Sequence, residues 1–246
     1  MEKEVSNKYD FMAEHYHNWR TKKNPKGWFY NEMLEMPATF GLLENIKGKK
    51  ILDFGCGSGI YAKILTKKGA KVKGFDISPQ MIKIAKEENP KLDLKIASGY
   101  KIPFKEKFDI VLAALVIDYF NDWDRVFKQV NKVLKKGGYF IFSQGNPVEE
   151  CKKKIKIRGK TIKVLGDYFT EKKIYNIWKN IKGKDLRMPT YHKTYETIIK
   201  TIIKNGFEIA DYKDCFPLKK AKKLFPSDYK EYSKRPFFCV WKVRKK

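Results

Sequence analysis

The sequence predicts an α/β chain built on a doubly wound, mostly parallel sheet of seven strands. Three observations predict it. Strand-like and helix-like segments alternate for nearly 100 residues after Gly48. A glycine run sits between the first strand and the first helix of that alternation. An aspartate then closes the second strand. The chain has 246 residues, which suits one large domain, or one domain with an insertion, and is long enough to bury a core without disulfides.

The first forty or so residues read as helical, because aromatics recur near the helical period through Tyr9, Phe11, Tyr16 and Trp19. Asn24-Pro25-Lys26-Gly27 interrupts them, and a second helix is expected over 28–43. Residues 49–54 (KKILDF) form a short apolar run between glycines, as a buried strand does. A helix over 59–68, a strand over 71–75 and a helix from Pro79 to 88 follow, with Ser78 at the N-cap and proline at the first helical position. Strands are expected over 92–97 and 108–115. A helix over 123–134 is expected to stop at Gly137-Gly138 by C-cap chemistry, before a fifth strand over 139–143. Residues 145–191 break the rhythm. There 153–165 alternates isoleucine and valine around Arg158-Gly159-Lys160, which predicts a hairpin, and a helix is expected over 171–180. The alternation resumes with a helix over 194–205, stopped by Gly206, and strands over 207–214 and 237–243. The insertion is expected to cover the carboxyl edge of the sheet, where open α/β folds bind ligands.

Composition narrows the class. Four cysteines, at 56, 151, 215 and 239, make no C-x-x-C pair, and there are three histidines. No zinc site and no disulfide framework is expected on that arithmetic. Reduced thiols point to a cytoplasmic protein. Residues 1–10 are polar and mixed in charge, unlike a signal peptide, and no apolar run is long enough to span a bilayer. Lysine plus arginine number 54 against 28 acids, a formal net charge of +26. Residues 152–163 hold seven cations and no acid, and the stretch from Lys213 onward holds twelve against three. Either the surface is simply lysine-rich and solvated, or the partner is acidic: RNA, an anionic lipid surface or a phosphorylated substrate.

Chemistry concentrates in Asp53-Phe-Gly55-Cys-Gly57-Ser-Gly59. Glycines there permit a tight turn and close approach of a ligand to backbone. A dinucleotide site would read G-x-G-x-x-G, but Ile60 stands at the last glycine's place. Asp53 beside the loop would repel a pyrophosphate and suits a cationic headgroup. Asp76 lies 21 residues after Gly55, the position of the carboxylate that holds ribose hydroxyls in nucleotide-binding α/β folds. Taken singly, the loop could be an ordinary turn and Asp76 a helix-capping acid. On consecutive strands of one parallel sheet, the two together point to a ligand site.

The runs I-L-D-F-G-C-G-S-G, G-F-D-I-S-P-Q-M, I-P-F-K-E-K-F-D-I-V and V-L-K-K-G-G-Y-F-I-F-S, in that order, resemble the successive motifs of class I S-adenosylmethionine-dependent methyltransferases. The resemblance covers about 48–145. Tyr9-Asp-Phe-Met-Ala-Glu-His-Tyr16 is similar to the helix that closes over the cofactor in the ubiquinone-biosynthesis-like (type 11) branch. Tyr191-His-Lys-Thr-Tyr195, followed by Asn205-Gly-Phe207, is similar to small-molecule members of that branch. The resemblance implies a Rossmann-like methyltransferase fold in four parts: a helical cap (1–47), a cofactor-binding half (48–144), an inserted hairpin-and-helix lid (145–191) and a C-terminal helix with strands (192–246).

It also implies roles. Gly55, Cys56 and Gly57 would line the methionine portion of S-adenosylmethionine, with Asp53 toward its ammonium. Asp76 would hold the ribose, Ile77 and Met81 would pack on adenine, and Tyr9 and Tyr16 would close over the cofactor. Ala114 and Leu115 would lie beside the sulfonium. Two departures stand out. Ser98, before Gly99 and Tyr100, replaces the usual aspartate that accepts from the adenine amino group. Asp118, before Tyr119, replaces a histidine common in relatives, and Ser143-Gln-Gly-Asn-Pro147 replaces a histidine–proline pair.

Methyl transfer from a sulfonium is an in-line displacement that depends on positioning, with a general base only for an acceptor that must lose a proton. His192 is the preferred base candidate, with Asp118 and Tyr119 beside it. Tyr9, His15, Tyr16, Trp19, Tyr119, Tyr168, Trp178, Tyr191 and His192 are candidates for the acceptor wall. Three functions are open: methylation of a small-molecule or lipid-precursor acceptor, methylation of RNA through the basic insertion and tail, or a non-catalytic cofactor-binding subunit. The chain lacks the N/D-P-P-Y/F tetrapeptide of amino-group nucleic-acid enzymes.

Overall fold

A computed structural model describes residues 2–21, 28–157 and 160–246. The break expected at Asn24-Pro25-Lys26-Gly27 and the turn at Arg158-Gly159 lie outside the described residues. Helix α1 (Glu2–Thr21) opens the chain. A π-helical stretch, Phe29–Glu35, then runs directly into α2 (Met36–Leu42). The alternating half follows as β1 (Lys50–Phe54), α3 (Ile60–Lys67), β2 (Lys71–Asp76), α4 (Pro79–Glu88), β3 (Asp93–Ile96), β4 (Phe108–Ala113), α5 (Trp123–Val133) and β5 (Leu134–Gly145). After a short α6 (Pro147–Glu150) come β6 (Lys152–Ile157), β7 (Lys160–Leu165), β8 (Lys173–Ile181) and β9 (Lys184–Tyr191). The chain closes with α7 (Tyr195–Lys204), β10 (Phe207–Asp214), α8 (Ala221–Leu224), α9 (Pro226–Tyr232) and β11 (Phe238–Lys245).

Seven strands form one sheet in the order β10-β11-β5-β4-β1-β2-β3. The pairs from β5 to β3 are parallel, and β11 runs antiparallel to both β5 and β10. Both faces are buried, as a parallel sheet requires. Successive β1 residues alternate between them: Leu52 and Phe54 join one core with Phe127, Phe142 and Phe207, and Ile51 joins the other with Phe29, Leu65 and Ile141. The order reverses between β1 and β4, so the crevice at their carboxyl ends is the natural ligand site. Ser78 caps α4 as expected, accepting from Met81 N at 3.1 Å. Thr194 caps α7 in the same way, and Gly206, at φ 80°, follows that helix.

Three expectations are corrected. The stretch expected to be a helix over 171–180 is strand β8, paired antiparallel with β9. Its apolar residues Ile174, Ile177, Trp178 and Ile181 are spaced to suit a helix, but β-branched and aromatic side chains favour a pleated surface. Asn180, Lys182 and Gly183, all at positive φ, make the tight turn that closes the hairpin. The lid is thus two hairpins with a short helix before them. Secondly, α5 ends at Val133, and Leu134 already pairs with Phe108. Gly137, at φ 72°, sits in the irregularity before Tyr139 pairs with Ile110, so the glycine pair shapes a bulge and caps nothing. Thirdly, α8 and α9 fill the segment between the last two strands, where no element was expected.

All four cysteines are free thiols. Among the described residues no helix is long and apolar enough to cross a membrane.

Candidate active site

A cavity of about 780 Å³ opens at the carboxyl ends of β1, β2 and β4. One end is built by the loop after β1. Gly55, Gly57 and Gly59 all have positive φ. A Cβ at Gly55 would lie 2.5 Å from Val116, and one at Gly59 would strike Asn89 of α4 at 2.6 Å, so these two are fixed by packing. Gly57 meets nothing within 4 Å and leaves an open cradle. The N–H groups of Gly55 and Cys56 already donate to Phe75 O, and that of Gly57 to Asp76 Oδ2 at 2.9 Å. A phosphate would need those donors, so the loop disfavours one.

Asp53 is fully buried, and its Oδ2 has no hydrogen-bond partner. Burial, with the charge of Asp76 adding to it, pushes its carboxyl up to about 7. Asp76 is also raised by burial, against the backbone hydrogen bonds from Ser78 and Gly57. Each Asp76 oxygen accepts one backbone N–H and keeps lone-pair capacity for a hydroxyl donor. A buried carboxyl with one unpartnered oxygen, an open glycine cradle and an aspartate with spare acceptors fit a ligand carrying an ammonium and a ribose. S-adenosylmethionine has both.

The other end of the cavity lies under α1 and the β8–β9 hairpin. Tyr9, Tyr16, Trp19, Tyr119 and Trp178 line it. Tyr16 and Trp178 stack at 6.0 Å, and the hydroxyls of Tyr9 and Tyr119 are 2.6 Å apart. Burial raises both of those phenols, so they stay neutral. Leu115, where β4 runs out, has φ 52°, and its N–H donates to Ser143 Oγ (2.9 Å) and Ser143 O. A non-glycine residue in that region stores about 1–3 kcal/mol of strain, and such strain clusters at active sites. Asp118 Oδ2 accepts from Gly145 N at 2.9 Å, and the carboxylate of Glu150 packs on the same glycine. Both acids line the cavity. Burial and the charge of Glu150 hold Asp118 well above the usual carboxylate range. Glu150 is raised by burial and lowered by His192, whose Nδ1 lies 3.5 Å from its Oε2.

The structure therefore brings Asp53, Gly55, Cys56, Gly57, Asp76, Ile77, Gly99, Ala114, Leu115, Asp118, Tyr119, Tyr9 and Tyr16 to one cavity. Met81 is fully buried and Ser98 and Tyr100 stand behind the wall; none of the three lines it. His192, His15, Tyr168 and Tyr191 do not line it either. His192 sits behind Glu150, its Nε2 2.8 Å from Tyr168 O. Sequence reasoning missed Glu2, Arg20 and Glu150. The first two were legible in principle: Glu2, Val5, Tyr9, Tyr16 and Arg20 recur at helical spacing along one stripe of α1 that faces the cavity. Glu150 reaches the site only through the fold of the lid.

A methyltransferase-domain family, type 11, matches residues 52–142. The chain is 29% identical over 233 residues to an uncharacterised Haemophilus influenzae protein, covering 87% of this chain and 88% of that one. It is 35% identical over 105 residues to the ubiquinone biosynthesis O-methyltransferase of Pelagibacter ubique, covering 41% of this chain and 44% of that enzyme. Over 86% of this chain and 96% of the other, the structure matches a putative S-adenosylmethionine-dependent methyltransferase from Listeria monocytogenes, at TM-score 0.74 and 27% identity. The fold and the site define a methyl-transferring enzyme that uses S-adenosylmethionine. The chain belongs to the class I S-adenosylmethionine-dependent methyltransferases.

Proposed function

We propose that the protein methylates a small-molecule or lipid-precursor acceptor at a protic atom, most simply a hydroxyl. The observation that carries this reading is the acceptor end itself: an aromatic-walled compartment beside Leu115 with two carboxyls at its edge, the buried Asp118 and the largely buried Glu150. The O-methyltransferase activity of the Pelagibacter relative is in keeping with it. The four free thiols are in keeping with a cytoplasmic location.

S-adenosylmethionine, when bound, supplies an electrophilic methyl group on a sulfonium. Asp53 would accept from its ammonium and Asp76 from its ribose hydroxyls, and the Gly57 cradle would admit the methionine chain. Ile77 would pack against the base, and Ala114 and Leu115, which line the same cavity, would border the sulfonium. Tyr9, Tyr16, Tyr119 and Trp178 line the acceptor end, where they would exclude water and orient the acceptor, and an aromatic wall favours positive charge. The neutral Tyr119 phenol orients and does not take a proton. Asp118 and Glu150 flank Gly145 and cannot both be charged at low cost, so the pair holds a proton and one carboxylate remains to accept another. His192 acts through Glu150 and touches no acceptor. The proton acceptor in this reading is the Asp118–Glu150 pair, in place of His192. The remote Lys152–Glu149 pair (2.8 Å) ties the first lid hairpin to the same rim.

Incubating the protein with methyl-labelled S-adenosylmethionine and fractionated cell extract tests the reading by mass spectrometry. Label is expected in a low-mass methyl ether formed from a hydroxyl compound. Label confined to RNA would replace this acceptor class with the nucleic-acid one.

A further inference from the structure

Just beyond β3, Ser98 stands where the family resemblance implies a carboxylate toward the adenine amino group. The structure shows what that hydroxyl does instead. Ser98 Oγ donates to Glu2 Oε1 and accepts from Tyr100 N at 3.0 Å. Its single hydrogen is committed to Glu2. Glu2 lines the cavity, together with Ile77, Ala97, Gly99 and Phe120, whereas Ser98 does not.

The arrival of Glu2 at this place is no accident of an end turn. Helix α1 is registered against the strand ends by polar contacts. Ser6 Oγ donates to Ile77 O at 3.1 Å. Asp10 Oδ1 accepts from Ser78 Oγ at 2.5 Å and from Gln80 N at 3.0 Å. A nucleoside whose ribose lies on Asp76 of β2 must extend its base over the next strand, β3. There Ile77 and Phe120 offer apolar surface for the faces of a purine, and Glu2 offers a charged acceptor for its edge.

We propose that Glu2 is the residue that reads the exocyclic amino group of the cofactor's base, and that Ser98 holds it in place. The recognition carboxylate has moved from the sheet to the helix that covers it. A carboxylate accepts strongly from an amino group and repels a carbonyl oxygen at the same ring position. The site therefore selects adenine over hypoxanthine through a residue nearly 100 positions upstream of the usual one. The inference rests on the cofactor assignment above. The competing role for Glu2 is a purely structural one, an acid favourable near a helix N-terminus.

Calorimetry on the full chain separates these roles, using S-adenosylhomocysteine and its inosine analogue, in which a carbonyl replaces the amino group. The wild type is expected to prefer the adenosine compound by roughly 10- to 100-fold, the range of a hydrogen bond to a charged group. Glu2→Ala should reduce that preference to about threefold or less, chiefly by weakening the adenosine compound. Ser98→Asp in the Glu2→Ala background should restore it, which a merely structural role would not do. If Glu2→Ala weakens both ligands equally and leaves the preference intact, Glu2 is structural and the proposal falls. Wild-type binding without any preference also overturns the proposal, while leaving the cofactor assignment standing. Wild-type binding of neither compound overturns both.

Discussion

A carboxyl buried with one oxygen unpartnered is expensive as an anion, and Asp53 answers by holding its proton up to about 7. Because its folded value lies above the unfolded one, the stability it lends is complete below the ordinary aspartate range and is lost as pH rises toward 7. An ammonium ligand reverses this by favouring the anion. Affinity for S-adenosylhomocysteine should therefore rise as pH climbs through 7 and flatten above it, with a proton released on binding at pH 6; calorimetry in buffers of different ionisation enthalpy reads this directly. Asp53→Asn should weaken binding by roughly 10- to 100-fold and abolish that proton release. Asp118→Asn makes the opposite split. It should lower kcat by about 100-fold or more while leaving S-adenosylhomocysteine affinity within roughly twofold, since it removes one half of the proton-accepting pair and not a cofactor contact. Gly55→Ala should cost stability outright, because the added methyl meets Val116 in a backbone region that L-residues avoid; its melting temperature should fall while Gly57→Ala, with open space before it, falls less.

Among the elements, the β8–β9 hairpin and α1 share the acceptor end. Met12 of α1 packs with Ile181 and Met188, and Tyr9, Tyr16 and Trp178 border that cluster. Trp178→Ala should raise the acceptor KM several-fold and leave cofactor affinity unchanged, at a stability cost of about 1–2 kcal/mol for the lost aromatic packing. Which elements were legible follows from how local their signals are. The β1 loop announces itself through glycines and Asp53, and Ser78-Pro79 through capping chemistry, because those signals lie within a few residues. Strand β8 did not, since Ile174, Ile177, Trp178 and Ile181 fit the helical period and only pairing with β9 decides for a strand. Asp118 was visible as a departure from a pattern, but its partner Glu150 was not. That pair exists only because α6 folds back onto Gly145. His192 looked like the base because it ends the lid, yet the same lid turns it toward Tyr168 and away from the cavity.

For the molecule as a whole, the net charge of +26 sets what it meets in solution. Polyanions should bind non-specifically, with affinity falling steeply as salt rises through counterion release. Turnover of a small neutral acceptor, enclosed beneath α1, should change little over the same range, and comparing the two salt responses distinguishes surface adhesion from use of RNA as substrate. If turnover and RNA affinity fall in parallel, the acceptor is nucleic acid.

One stripe of α1 closes both compartments of the cavity, with Glu2 over the nucleoside end and Tyr9 and Tyr16 over the acceptor end. A single rigid helix cannot complete one wall while leaving the other unformed. Catalysis should accordingly follow a compulsory order, donor on first and spent donor off last. Steady-state inhibition by S-adenosylhomocysteine should then be competitive against the donor and mixed against the acceptor.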